Sequence, residues 1–124
     1  MILRQVQMDA LQEATRLRNV VDYLYQHHAA ALGTMTRAEV RSLAEDAIRR
    51  AQAYKFHSAS DVTTFVVMTF DVARDFDKHP AIARILTDAS IPDSKRMDAL
   101  LERTSDRVWE EAARMKTGNK AGNS

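Results

Sequence analysis

Residues 60–77 read SDVTTFVVMTFDVARDFD, and the fold turns on whether this stretch is a strand or a helix. Its middle, VTTFVVMTF, is rich in β-branched and aromatic residues, which suit a pleated surface. Three features predict a helix over Asp61–Asp77 instead. Ser60 followed by Asp61 supplies an N-cap and an acid for the first turn. Val62, Phe65, Val66, Thr69, Val72, Ala73 and Phe76 recur at helical spacing. No neighbouring segment offers a strand partner, and a lone strand leaves its backbone groups unpaired. On a wheel of about 100° per residue, Thr63, Thr64, Asp71, Arg74 and Asp75 cover roughly a third of the circumference. The rest is apolar, so this helix is expected at the centre, packed by several others.

Working outward, Pro80 suits the first turn of a short helix whose apolar face is Ala81, Ile82, Ile85 and Leu86. Ile91-Pro92-Asp93-Ser94 punctuates the chain, with Asp93 or Ser94 as the next cap. A last helix is expected to run to about Lys116. Met97, Leu100, Leu101, Thr104, Val108, Ala112 and Met115 form its inward stripe, with Trp109 beside it. Residues 118–124 contain no apolar residue beyond alanine and read as a disordered tail.

Toward the N-terminus, Thr36-Arg37-Ala38-Glu39 has the form of a capping box. Val40, Leu43, Ala44, Ala47, Ile48, Ala51 and Tyr54 continue it as an apolar face, opposite Arg37, Arg41, Glu45, Arg49 and Arg50. Residues 4–31 carry another stripe, through Ala10, Ala14, Leu17, Val21, Leu24, His28 and Ala31. Gly33 is placed to end that helix in a left-handed conformation. The expectation is an all-α bundle of about five helices, one domain over 1–117.

Composition narrows the chemistry. The chain of 124 residues has no cysteine, which excludes disulfides, thiolate metal sites and a cysteine nucleophile. Three glycines and two prolines are too few for a turn-rich sandwich or a phosphate-cradling loop. No apolar stretch approaches the roughly 20 residues of a membrane helix, and no signal-peptide core follows Arg4. A cytoplasmic, membrane-free protein is expected.

No serine sits in a Gly-x-Ser-x-Gly setting, and no histidine in a His-Glu-x-x-His pair. His28 lies on the apolar stripe of the first helix and reads as a core or interface histidine satisfied by a neighbour. His27 and His57 fall near helix ends, where an imidazole meets free carbonyls. Asp71, Asp75, Asp77 and His79 form the best catalytic-looking cluster, with Asp71 and Asp75 one helical turn apart. A divalent cation is the ligand they would take, in a metal-dependent hydrolase. Pairing with Arg74, Lys78 or Arg84 is the plainer reading, and no cofactor, metal or enzyme activity is expected.

The net charge of +1 is spread unevenly: +2 over residues 1–60, −3 over 61–93 and +2 over 94–124. Such alternation fits a protein partner better than a polyanion. A helical DNA-binding regulator remains the alternative, with Thr36–Tyr54 and the following helix as a helix-turn-helix. Against it stand the missing net basicity and the absence of a glycine turn in Lys55–Ala59.

Several short elements occur in a definite order: Arg4-Gln5-Val6-Gln7-Met8-Asp9-Ala10-Leu11, Ala51-Gln52-Ala53-Tyr54, Ser60-Asp61-Val62, Asp75-Phe76-Asp77 with Pro80, and Ile85-Leu86-Thr87-Asp88. In this the chain resembles a group of small all-helical bacterial proteins encoded beside type VI secretion effector and spike genes. It departs at two positions, carrying Lys55 and Arg74 where that group tends to have glycine. The resemblance implies a non-enzymatic partner of a secreted toxin or spike component, either an adaptor or chaperone or an immunity protein. An inhibitor covers an active site with a charge-complementary patch, whereas an adaptor holds a segment in an apolar groove. Met68, Met97 and Met115 are candidates to line such a groove. The candidate partner-binding residues are Asp71, Arg74, Asp75 and Asp77 on the central helix and Arg41 and Arg49 on the second. The long first helix is a candidate homodimer contact.

Overall fold

The computed structural model describes the backbone of residues 2–122 and the side chains of residues 12–115. In chain order the helices are α1 (Ile2–His27), α2 (Ala29–Leu32), α3 (Arg37–Ala53), α4 (Ala59–Asp71), α5 (Pro80–Leu86), α6 (Arg96–Arg103) and α7 (Asp106–Gly122). Two 3₁₀ turns, Phe76–Lys78 and Asp93–Lys95, precede α5 and α6. There is no strand among the described residues, so the all-α class holds, with seven helices rather than about five. The Arg4–Leu11 element and the tail expected over 118–124 lie outside the residues whose side chains are described.

The 60–77 stretch is helical, but its ends differ from expectation. Ser58, not Ser60, caps α4: its Oγ accepts the Asp61 N–H at 3.0 Å. The helix stops at Asp71 rather than Asp77. Val72 and Ala73 both donate to the Met68 carbonyl, at 2.9 and 3.3 Å, which closes the last turn. An aspartate at a helix C-terminus opposes the macrodipole, and Asp71 instead contacts His28 Nδ1 at 3.1 Å. Asp71 and Asp75 therefore do not share a helix face.

The first predicted helix breaks at His28, whose φ of −135° and ψ of 32° leave the helical region. The break lets α2 pack on α4 and bury Leu32. Gly33 does adopt positive φ, but with φ 54° and ψ −127° it is not the left-handed helical cap expected. It takes the first central position of a type II′ turn, closed by Met35 N–H to Leu32 O at 3.0 Å. The capping box of α3 forms in full, with Glu39 N–H to Thr36 Oγ1 at 3.1 Å and Thr36 N–H to Glu39 Oε1 at 2.8 Å.

The last predicted helix is two. Thr104 is extended, and Ser105 then caps α7, its Oγ accepting from Val108 N–H at 3.3 Å. Within α6 the buried face is Met97 and Leu100, so Leu101, expected inside, is 50% exposed. Leu100, Met97 and Ala112 are buried.

At the centre Phe65 is fully buried. Its ring lies 5.1 Å from Phe76, 5.8 Å from Tyr54 and 5.9 Å from Phe56, in the tilted arrangements that aromatic quadrupoles favour. Phe76 carries the contact on to Trp109 of α7, at 6.3 Å. This aromatic line joins the end of α3, α4, the first 3₁₀ turn and α7.

Candidate functional site

The polar groups that the fold draws together cluster beside that aromatic line. The C-terminus of α3 delivers Arg50 and Tyr54 one turn apart, and the 3₁₀ turn delivers Asp77. Arg50 Nη1 donates to Asp77 Oδ1 at 2.7 Å, and the Tyr54 hydroxyl donates to Oδ2 at 2.8 Å. Arg50 Nη2 donates to the Arg74 carbonyl at 2.9 Å, and its guanidinium lies 5.9 Å from the Phe65 ring centre. Arg50 Nε is 3.2 Å from Asp46 Oδ2 without hydrogen-bond alignment, and Asp75 lies 3.9 Å from Nη1. Burial, together with the hydrogen bond and charge of Asp77, pushes the Tyr54 phenol up to about 12, with Arg50 opposing.

A second buried cation, Arg96, ties the loop before α6 to the same place. Its guanidinium donates to the carbonyls of Tyr54 (3.1 Å), Asp88 (3.2 Å) and Ile91 (3.0 Å), and to Asp93 Oδ1 (2.9 Å). Tyr54 thus ends α3 with its hydroxyl bound to the buried Asp77 of one ion pair and its carbonyl to the buried Arg96 guanidinium. Its backbone leaves by a Schellman arrangement, with Phe56 N–H to Ala51 O at 3.1 Å and Lys55 N–H to Gln52 O at 3.0 Å. Lys55 accordingly takes φ 73°, a left-handed conformation that glycine adopts without strain.

His79 caps α5. The Ala81 N–H donates to its Nδ1 at 3.1 Å, so Nε2 carries the proton and donates to Glu111 Oε1 at 2.9 Å. That hydrogen bond holds the Glu111 carboxyl below its usual range, against a smaller opposing effect of burial. Both imidazole nitrogens are committed to structure, as are both oxygens of Asp77.

The acidic cluster read from the sequence is therefore dispersed: Asp71 meets His28, Asp77 meets Arg50 and Tyr54, and His79 meets Glu111. No group of three or more histidine or carboxylate side chains is placed to hold a metal ion among the described residues. Of the six candidate partner-binding residues, Asp77 is buried and unavailable to a partner, a correction to its expected surface role. Asp71 and Arg74 are exposed and Asp75 is half-buried, all in or beside the turn after α4. Arg41 and Arg49 are exposed on α3, far from that turn in sequence, and line the seam with α1. Met68 and Met97 are buried in the core, so neither lines an open groove.

Tyr54 stands in the sequence as an apolar-face residue and the end of the Ala51-Gln52-Ala53-Tyr54 element, but the buried ties of Arg50 and Arg96 are not marked there. The helical wheel puts Arg50 on the polar face of α3, yet it lies three residues after Ala47 and four before Tyr54, both on the apolar face. That spacing was the available signal. For Arg96, only the i,i+3 relation to Asp93 hinted at a partner.

These features define an all-helical domain whose buried ionisable groups serve as internal ties. Comparison with protein-family models, with curated proteins and with solved structures returns no match for the chain. No described helix is long and apolar enough to cross a membrane.

Proposed function

We propose that the chain is a non-enzymatic protein-binding protein, an adaptor, chaperone or immunity-type partner of a bacterial type VI secretion effector, acting in the cytoplasm. The observation that carries the reading is the junction at Tyr54. The Ala51-Gln52-Ala53-Tyr54 element ends α3, and the residue after it, where the resembling proteins tend to carry glycine, has φ 73°. Tyr54 then bonds Asp77 of the Asp-Phe-Asp element at 2.8 Å. Two elements of the ordered pattern thus meet in space, and the glycine preference falls where the backbone calls for it.

The engagement of Asp77 and His79 by internal partners supports a binding role over a catalytic one. A general base needs a lone pair within reach of substrate, and here those lone pairs accept protein hydrogen bonds.

The test is co-expression with the product of the adjacent effector gene, followed by size exclusion with light scattering. A stable complex is expected, and light scattering of the free chain reports whether it self-associates. Neutralised toxicity in cells marks an immunity protein, and loss of effector delivery without loss of immunity marks an adaptor. Failure to form any complex overturns the reading. So does tight binding to upstream duplex DNA with a steep salt dependence, the signature of a regulator.

A further inference from the structure

We infer that the seam between α1 and α3 is the docking surface for the partner, and that it receives an acidic amphipathic helix of about three turns. The inference rests on the effector-binding reading above and assigns its contact face.

Two depressions run along this seam. One, of 490 Å³, is lined by the exposed Ala14 and the edges of the buried Leu17 and Ile48, together with Arg16, Arg41 and Arg49. The other, of 320 Å³, has Val21 and Ala38, with Arg18 and Arg37 beside them. Arg41 lines both, so they form one trough. From Arg37 to Arg49 the α3 backbone rises roughly 18 Å, the length of a short docked helix.

Charge identifies the occupant. The five arginines outnumber the carboxylates in the lining, Glu13, Asp22 and Glu45. Arg37 is held 3.7 Å from Asp22 and 4.8 Å from the Tyr25 ring centre, and Arg49 is 4.0 Å from Glu45. Arg16, Arg18 and Arg41 have no carboxylate within 4.0 Å among the described residues. Three cations beside a narrow apolar strip, made by Ala14, Ala38 and the edges of Leu17, Val21 and Ile48, match a helix with acidic flanks and a row of small apolar residues between them. The interspersed carboxylates disfavour a continuous phosphate backbone, and they set register for a peptide that places a basic or neutral residue opposite them.

The experiment uses the full chain and the co-expressed effector, with affinity measured by calorimetry. Arg16→Glu with Arg41→Glu is expected to weaken binding about tenfold or more, while Arg16→Lys with Arg41→Lys retains most of it. Arg84→Glu, exposed on α5 away from the trough, is expected to leave affinity unchanged. Melting curves establish that each variant is folded, and Arg16→Gln with Arg41→Gln replaces the reversal if that one is not. Wild-type affinity in the folded double variant overturns the trough and leaves the proposed function standing. A wild-type chain that binds no effector overturns the proposed function, and the trough with it. Duplex DNA binding lost in the double variant overturns the peptide occupant.

Discussion

Removing the Asp77 carboxylate takes from Arg50, only 18% exposed, its one aligned carboxylate hydrogen bond, leaving Asp46 at 3.2 Å and Asp75 at 3.9 Å as counter-charges. Losing a charge-assisted hydrogen bond and the Tyr54 acceptor together, Asp77→Ala is expected to cost about 1–3 kcal/mol in urea unfolding. Asp77→Asn keeps the shape and an acceptor, and should lose less. The same cluster sets an alkaline limit. Folded Tyr54 holds its proton more tightly than the unfolded chain, its phenol moving from 10.0 to about 12. Its contribution is fully present below about pH 10 and is lost as pH rises toward about 12. Stability measured across that window should fall in the wild type, with a smaller fall in Tyr54→Phe. One position works the other way. Lys55→Gly relieves a left-handed backbone at φ 73° and is expected to add about 0.5–1 kcal/mol of stability. Beyond the spacing of Arg50 from Ala47 and Tyr54, these residues carry little sign of their roles in a one-letter string. Lysine carries no sign of positive φ, and Arg50 looks like its solvated neighbour Arg49 until Asp77 arrives from 27 residues away.

At the scale of the element, periodicity identified every long helix, because burying one face of a helix imposes its repeat on the sequence whatever the local propensity. The β-branched run of α4 is helical on that ground. The ends were harder. Ser58 and Ser60 are both competent caps, and the choice falls to the register in which Phe56, fully buried, anchors the preceding loop. Ser58→Ala is therefore expected to cost about 1 kcal/mol, and Ser60→Ala less than about 0.5. Equal losses in thermal unfolding would contradict that assignment. The break at Thr104 was hidden for a related reason: the apolar stripe continues in phase across it, so only the Ser105-Asp106 cap pair marked the new start. The candidate site was legible only in part. Arg41 and Arg49 do lie on an exposed face, but the trough depends on how α1 seats against α3, a packing outcome that no single helix specifies.

At the scale of the molecule, the aromatic line makes Phe65 the joint between helices distant in sequence. Phe65→Ala is expected to cost about 3–5 kcal/mol, a large fraction of the roughly 5–15 kcal/mol that holds a domain together. The line also bears on how the chain unfolds. Trp109 sits on α7 and meets Phe76, which meets Phe65, which meets Tyr54 and Phe56 at the end of α3. If these contacts couple the two ends of the chain, the fluorescence of this single tryptophan and the far-ultraviolet helix signal should follow one urea transition with a common midpoint. An earlier tryptophan transition would make α7 a unit that detaches on its own, leaving α1, α3 and α4 as the cooperative core. In that case Phe65→Ala would shift the helix transition and leave the tryptophan midpoint where it was. With the helices coupled, the substitution should move both midpoints together by the same amount.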